Sequence, residues 1–571
     1  MKTTRRKFLR TGGALAAGAL ILPTARARGE GPRRIAVDVC IYGGTSGGVM
    51  AAVALAGMGR SVAIIEPTRH LGGMTSSGLG WIDIAQGETS YGGLTRRWIG
   101  QLKQANAAAG RDPANAQNQG WVCEPHVAEM LFEQWMSERR IEVVREARLA
   151  GVKKDGRRLH SATFDRAQPD RRGAPAAEAQ EPGFLIVEAA MFIDCSYEGD
   201  LLAAAGITTR SDRESRDECG ESMAGVLWNE HAELGEPLPV IDPYVRPGDS
   251  ASGLLPLVSG AAVSEPGARS PVLQAYNFRL CLVKDRPLPV EPPADYDRRR
   301  FEIVVRYLAA LEAGGHPIAP RDFHRSPWRL LKISPLPRGK TDVNNAGPIS
   351  MDLVGGGSEH YAGASWAGRA RLWHAHEDYQ RGLFHFLQTD ERMPEAVRSE
   401  LAQWGLPRDE FRDTGGWPFQ LYVREARRMV GAYVMKQSDC EHPPAGLTDV
   451  IGLGTYSLDS HFCQRLVKDG RVLHEGGFLL RLPRPYPIPY RAIVPRAPEC
   501  ENLLATFCVS STHVSFASLR MEPQFMILSE SAAHAADLAL RDNKSVQEID
   551  AARLRKRLLD AGQVLSAAAK T

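Results

Sequence analysis

An α/β fold, with one sheet domain interrupted by a large inserted α+β domain, is what this sequence predicts, and three observations predict it. The run Val37–Tyr42 is short and β-branched, as a buried parallel strand requires. A glycine-rich turn and the small-residue segment Val49–Ala56 follow, then a second apolar run, Ser61–Ile65, ending on Glu66. Strand, glycine turn, helix, strand and acid thus occupy about thirty residues, the order of a βαβ unit. The same character returns only after Tyr490 and closes in an alanine-rich helix near Leu538, so the chain between reads as an insertion.

A chain of 571 residues exceeds one compact core and calls for several units of roughly 100–200 residues. The expected division is a leader over 1–27, a sheet domain over 28–224 and 486–545, an insert over 225–485 and a C-terminal helix over 546–571. Thr4-Arg5-Arg6-Lys7-Phe8-Leu9-Arg10, the apolar run Ala14–Leu22 and Ala25-Arg26-Ala27 read as a cleaved twin-arginine leader, which predicts a periplasmic protein. The apolar run is too short to span a bilayer, so no stable membrane anchor is expected. Seventy basic residues against 67 acidic ones leave a net charge of +3, which excludes a nucleic-acid binder. Nine cysteines without a C-x-x-C pair give no metal or iron–sulfur signature and suit small buried apolar positions. The polar, Pro/Ala-rich stretch 166–182 reads as a surface loop without chemistry.

The turn Gly43-Gly44-Thr45-Ser46-Gly47-Gly48 aims backbone N–H groups and a helix N-terminus at a pyrophosphate. Thr45 stands where the usual G-x-G-x-x-G has glycine. Glu66, about twenty residues on, is placed to accept hydrogen bonds from a ribose diol. Gly72 and Gly73 then permit close backbone approach to a ligand, and the Met74-Thr75 segment offers a hydroxyl for phosphate or ribityl oxygens.

With these motifs the sequence resembles the bacterial FAD-dependent oxidoreductases, distant relatives of the fumarate reductase and succinate dehydrogenase flavoproteins. Further matching blocks are Cys123–Glu129, Ile193–Asp200, Gln274–Arg279, Leu421–Arg428, Ser510–His513 and Arg520–Pro523, together spanning nearly all of residues 36–540. The resemblance implies a Rossmann-like FAD-binding domain of the glutathione-reductase type, with FAD as cofactor and Thr45 as a tolerated variant of the turn. It also implies that Asp194 and the Glu198-Gly199-Asp200 turn bring the chain back to the flavin. The segment after His513 would close over the isoalloxazine. Ser529, Ala532 and Ala533 of the last helix would lie along the cofactor, two of them where relatives commonly carry glycine.

Flavin redox chemistry needs a carbon bearing a transferable hydride and a group that exchanges the substrate proton. Arg424, Arg427 and Arg428, read as one face of a helix, could bind a carboxylate or deliver a proton; a structural cluster with Glu425 is the alternative. Asp459 and His461 share a face if Leu458–Phe462 is extended, giving an oriented imidazole or a structural pair. His513, in a Ser/Thr-rich loop, is the leading catalytic candidate, against a flavin-anchoring or structural role. Lys340, Asn344, Asn345, Ser350 and Asp352 could recognise a hydroxylated substrate, or simply form an Asx-turn loop. The expected reaction is hydride transfer between flavin N5 and a small polar substrate, carbohydrate-derived or an organic acid. The alternative is a redox-neutral lyase acting on a polysaccharide fragment. No second nucleotide turn is evident, so no tightly bound NAD(P) is expected, and the electron acceptor and oligomeric state stay open.

Overall fold

The computed structural model describes residues 31–84, 89–108, 122–229, 238–316 and 330–567. The leader read at residues 1–27 lies outside the described residues. Strand β1 (Arg33–Tyr42) leads through the glycine turn into helix α1 (Ser46–Gly57) and strand β2 (Val62–Ile65). The sheet continues with β3 (Glu142–Val144), β4 (Ala147–Asp155), β5 (Arg158–Arg166) and β6 (Glu181–Asp194), in spatial order β3-β2-β1-β6-β5-β4.

The 14-residue β6 serves two partners in succession. Its first part pairs antiparallel with β5, and Phe192–Asp194 pairs parallel with the strand Leu503–Ala505. On its other side it runs parallel to β1. Cys40, Ile41, Tyr42, Ile64, Ile65 and Ile193 have no exposed surface, which is why these strands read as continuous apolar runs. Register sets Tyr42 against both Ile65 and Asp194, so β1, β2 and β6 end level at one carboxyl edge, where ligands bind in open α/β sheets.

The helix Glu522–Asp542 packs along α1. A Cβ built on Gly47 would lie 2.4 Å from the Ser529 hydroxyl, so the close approach depends on that glycine. The segment between the two parts of the sheet domain carries small antiparallel sheets, such as Gln464–Lys468 with Arg471–Glu475, and the long helix Trp366–Thr389. Arg428–Met429 pairs back onto Thr209–Arg210. Among the described residues no helix is long and apolar enough to cross a membrane.

The stretch 166–182 is mostly the loop between β5 and β6 and has many exposed residues, as read, but it is not exposed throughout. Ala174 is fully buried, Arg172 binds Glu377 at 2.8 Å, and Ala167, Pro169, Gly173, Pro175 and Ala176 form one wall of a cleft shared with the glycine turn. Proline and alanine present backbone and methyl groups without charge, so a stretch that looks inert in sequence can cover a ligand.

The chain leaving β2 is tied to distant segments by His70. Its ring stacks on Phe419 at 3.8 Å, with Nδ1 2.9 Å from Glu129 and Nε2 3.0 Å from Asp413. Burial would lower its pKa, but the two carboxylates overcome that and raise it from 6.5 to about 9. A raised histidine contributes stability that is complete below the unfolded pKa and fades as pH rises through the folded one. Chemical unfolding is therefore expected to lose up to about 3 kcal/mol from this group between its two pKa values. His70→Gln should flatten the pH dependence there; an unchanged slope would contradict the coupling.

Candidate active site

The glycine turn is built from both sides. Gly43 has φ +101°, and a Cβ there would meet the Cys195 carbonyl at 2.7 Å. Thr45 caps α1, its hydroxyl oxygen accepting from the Gly48 N–H at 3.2 Å and its O–H donating to the Cys195 carbonyl at 2.9 Å. A glycine could make neither bond, which explains the departure from the usual spacing. The Gly44 N–H donates to Glu66 Oε2 at 2.6 Å and the Thr68 N–H to Oε1 at 2.7 Å, so the carboxylate is fixed at the end of β2. Gly72, with φ +99°, donates its N–H to the Gly44 carbonyl at 2.7 Å, laying the second glycine loop on the first.

These elements open onto a cleft lined by Gly43, Thr45, Glu66, Arg148, Ser196 and Glu198, among others. The donor set suits the ADP half of FAD. The first-turn N–H groups of α1 would hold a pyrophosphate, and each Glu66 oxygen would keep a lone pair for a ribose hydroxyl.

A buried carboxylate joins the parts. Glu522 accepts hydrogen bonds from Ser46 Oγ at 2.5 Å, Thr75 Oγ1 at 2.9 Å and the Tyr197 hydroxyl at 2.7 Å. Tyr197 in turn accepts from the Met74 N–H at 2.9 Å. The start of α1, the Gly72-Gly73 loop and the segment after β6 are thus pinned to one side chain at the head of the last long helix. Burial pushes the Glu522 carboxyl above its ordinary value, and the three hydroxyls oppose that shift.

Two residues before Glu522, Arg520 enters a second, charged cluster of side chains. Its Nη1 donates to the Tyr422 hydroxyl at 3.0 Å and its Nη2 to the Asp459 carbonyl at 2.7 Å. The Tyr422 ring lies close to two guanidinium groups, Arg424 at 4.6 Å and Arg520 at 5.9 Å from its centroid. Arg424 Nη2 is 3.0 Å from Asp352 Oδ1, and Asp352 Oδ2 is 2.6 Å from His461 Nδ1. Burial would raise the Asp352 pKa, but Arg424 and His461 hold it below the usual carboxylate value. Arg279, paired with Asp342 at 2.8 Å, adds a third guanidinium. The loop Gly72–Gly80 runs between the two sites: Ser77 Oγ accepts from the Gln420 N–H at 2.9 Å, and a Cβ on Gly78 would strike the Arg279 carbonyl.

The expected site residues fall into distinct places. Gly43–Gly48, Glu66 and Gly72–Thr75 come together at the carboxyl edge of the sheet. Asp194 shapes the next turn, accepting from Ser196 and Leu202 while burial raises its pKa to about 6; Gly199 packs against Cys508 in that turn. Ser529 bonds Thr506 at 2.7 Å and faces Gly47, and Ala532 and Ala533 are wholly buried, so this part of the last helix supports α1 from behind.

The arginine segment departs from its helical reading. Residues 423–427 have no regular structure, and Arg428–Met429 is a strand. Each guanidinium is drawn to a different acid: Arg424 to Asp352, Arg427 to Asp200 at 3.0 Å and Arg428 to Glu214 at 2.6 Å. Those separate buried pairs override a sequence pattern that favours a helix.

Leu458–Ser460 is extended, as the Asp459/His461 pairing required, but the acid that orients His461 is Asp352. Asp459 and His461 keep 23% and 12% side-chain exposure, whereas His513 keeps 2%. His513 is held by Glu425 at 2.7 Å on Nδ1 and Ser460 at 3.4 Å on Nε2. Burial would raise the Glu425 carboxyl, yet His513 and Arg428 keep it at about 2. Side chains alternate along a strand, so His513 holds Ser460 from the side opposite Asp459 and His461.

Of Lys340, Asn344, Asn345, Ser350 and Asp352, only Asp352 joins the charged cluster. Asn344 and Asn345 make an Asx-type turn, and Ser350 bonds the Leu330 carbonyl. Lys340 sits among Glu124, Asp409 and Glu410, 2.8 Å from the first two. Those acids and His126 have a spacing that could hold a metal ion, but the ammonium already supplies their positive charge. Glu522, Tyr197, Tyr422, Arg520 and Arg279 were given no role from sequence. Their blocks, Gln274–Arg279, Leu421–Arg428 and Arg520–Pro523, were visible, but their convergence was not.

The model of the FAD dependent oxidoreductase family matches residues 38–558, and the chain belongs to that family. It is an FAD-dependent oxidoreductase with a Rossmann-like FAD-binding domain. No curated protein matches it. Among solved structures, it resembles a geranylgeranyl bacteriochlorophyll reductase-like protein from Thermoplasma acidophilum at 12% identity, over 93% of this chain and 85% of that one, with a TM-score of 0.32. CabE, an aromatic hydroxylase from angucycline biosynthesis, matches at 14% identity over 31% of this chain and 35% of its own, with a TM-score of 0.21. L-proline dehydrogenase from P. horikoshii matches at 18% identity over 34% of this chain and 27% of its own, with a TM-score of 0.17. The chain spans about a third of the length of these last two proteins.

Glu522→Ala would leave three buried hydroxyls without their acceptor, at about 1–3 kcal/mol for each unsatisfied group. Purified Glu522→Ala should retain much less FAD, its dissociation constant rising roughly a hundredfold, and Glu522→Gln should restore most of the loss. Equal flavin occupancy in wild type and Glu522→Ala would refute the clamp.

Proposed function

We propose that this oxidoreductase acts on a small polar substrate carrying a negative charge, an organic acid or a carbohydrate-derived acid. The observation that carries the reading is the His461–Asp352–Arg424 array. An imidazole fixed by a carboxylate on Nδ1 has, among the described residues, no partner on Nε2, and it stands beside a guanidinium-flanked tyrosine.

FAD, when bound, supplies the two-electron chemistry, exchanging hydride at N5. The rest falls to the chain's own residues. Arg520, Arg424 and Arg279 provide the positive field that draws in and orients a carboxylate. His461 Nε2 takes the proton from a substrate hydroxyl as its carbon is oxidised, or returns it in the reverse direction. Asp352 fixes the tautomer and stabilises the imidazolium that forms. Asp459 and the Tyr422 hydroxyl stand at the same opening, and His513 keeps the strand in place. A lyase reading would use the same imidazole as the base of an elimination. A substrate that reduces a dye acceptor in proportion to turnover separates the two.

The protein is further read as periplasmic, folded with its flavin before twin-arginine export, on the strength of Thr4–Arg10 and Ala25–Ala27. Replacing Arg5 and Arg6 by lysine should hold the flavoprotein in the cytoplasm; unchanged export would remove that reading. A screen of acids with a dye acceptor should find one that bleaches the flavin. With that substrate, His461→Gln should lower kcat by about 10²–10⁴-fold at unchanged FAD content. Arg520→Lys should act mainly on KM. A His461→Gln enzyme with wild-type kcat would exclude the proton role.

A further inference from the structure

Behind the charged cluster lies a buried positive charge with no counter-ion. Arg465, on the strand Gln464–Lys468, is 1% exposed. Its Nη2 donates to the Pro348 carbonyl at 2.8 Å, while Nε and Nη1 have no hydrogen-bond partner. Among the described residues it forms no ion pair. The carboxylate whose charge reaches it, Asp352, is already committed to Arg424 and His461.

His474 is the cross-strand partner of Arg465, so the two side chains stand on one face of the hairpin. It is 2% exposed, and neither ring nitrogen has a partner. Burial, together with the Arg465 charge, lowers its pKa to about 3, so the ring is neutral and offers one N–H donor. His376, which also faces Asp352 and Arg424, is lowered to about 4 by burial and brings no compensating charge.

Two guanidinium charges, Arg424 and Arg465, therefore share the single carboxylate of Asp352. An uncompensated buried charge of this kind is strongly destabilising. Three donor nitrogens without partners, Arg465 Nε and Nη1 and one nitrogen of His474, and one unmatched positive charge are what a small anion requires around it.

We propose that a small inorganic anion of chloride size binds between Arg465 and His474. It forms a site separate from the proposed substrate site and neutralises the positive charge behind Asp352. This does not rest on the substrate reading, since the site is defined by groups with no part in the proton transfer.

The test uses FAD-loaded protein in two measurements. Crystals soaked in sodium bromide should show an anomalous peak touching Arg465 Nε and Nη1. In solution, sodium chloride titrated at fixed ionic strength against sodium gluconate should raise Tm saturably by about 2 °C. Arg465→Met should fold and show no chloride dependence. Absence of bromide at Arg465 while other bromide sites are filled would overturn the proposal, as would a chloride response shared by Arg465→Met. Should Arg465→Met fail to fold, the bromide soak on the wild type decides alone.

Discussion

One buried carboxylate, Glu522, holds the cofactor half of this molecule together. The three hydroxyls that donate to it come from segments far apart in sequence: the head of α1, the second glycine loop and the turn after β6. None of these is fixed by the sheet alone, because each lies beyond the carboxyl end of its strand. In a fully buried position such a carboxylate is costly unless its lone pairs are satisfied. The satisfaction here is mutual: the acid is tolerable because three loops reach it, and the loops are ordered because the acid is there.

The same helix start joins the cofactor turn to the proposed substrate site. Arg520 and Glu522 are separated by one residue, yet the guanidinium bonds Tyr422 in the charged cluster and the carboxylate bonds Ser46 at the glycine turn. A displacement of this corner would move both. Within the cluster, charge is shared along a line from Arg424 through Asp352 to His461, so the orientation of the accessible imidazole depends on a fully buried guanidinium. Glu425, His513 and Ser460 do the corresponding work from behind, pinning the strand that presents Asp459 and His461.

How much of this could be read from sequence follows the range of the interactions. The βαβ unit, Glu66 and the glycine loops were legible because their signals are local: strand composition, turn glycines and fixed spacing. The return to the sheet at Leu503–Ala505 was legible for the same reason. Arg424, Arg427 and Arg428 misled because their spacing fits a helix, whereas the backbone there follows three separate ion pairs formed across 214 or more residues, or 72 in the case of Asp352. Asp352 was noticed within a polar run, but nothing local separates it from Asn345, which only shapes its loop. Glu522 was part of a recognised block and remained without a role, since its partners lie 325 to 476 residues away. His513 drew attention as a histidine in a Ser/Thr-rich loop; the structure places it buried against Glu425 and Ser460, contacts that no local signal announces.

We propose that the glycine turns, the Glu522 corner and the Arg520–Tyr422–His461 cluster form one continuous flavin and substrate site. The most direct measurement is a crystal structure of the FAD-loaded protein with a bound carboxylate inhibitor. The pyrophosphate should lie against the head of α1, the isoalloxazine along the Gly72–Gly80 loop, and the inhibitor between Arg520 and His461. An isoalloxazine directed away from Tyr422, with the inhibitor bound elsewhere, would contradict it.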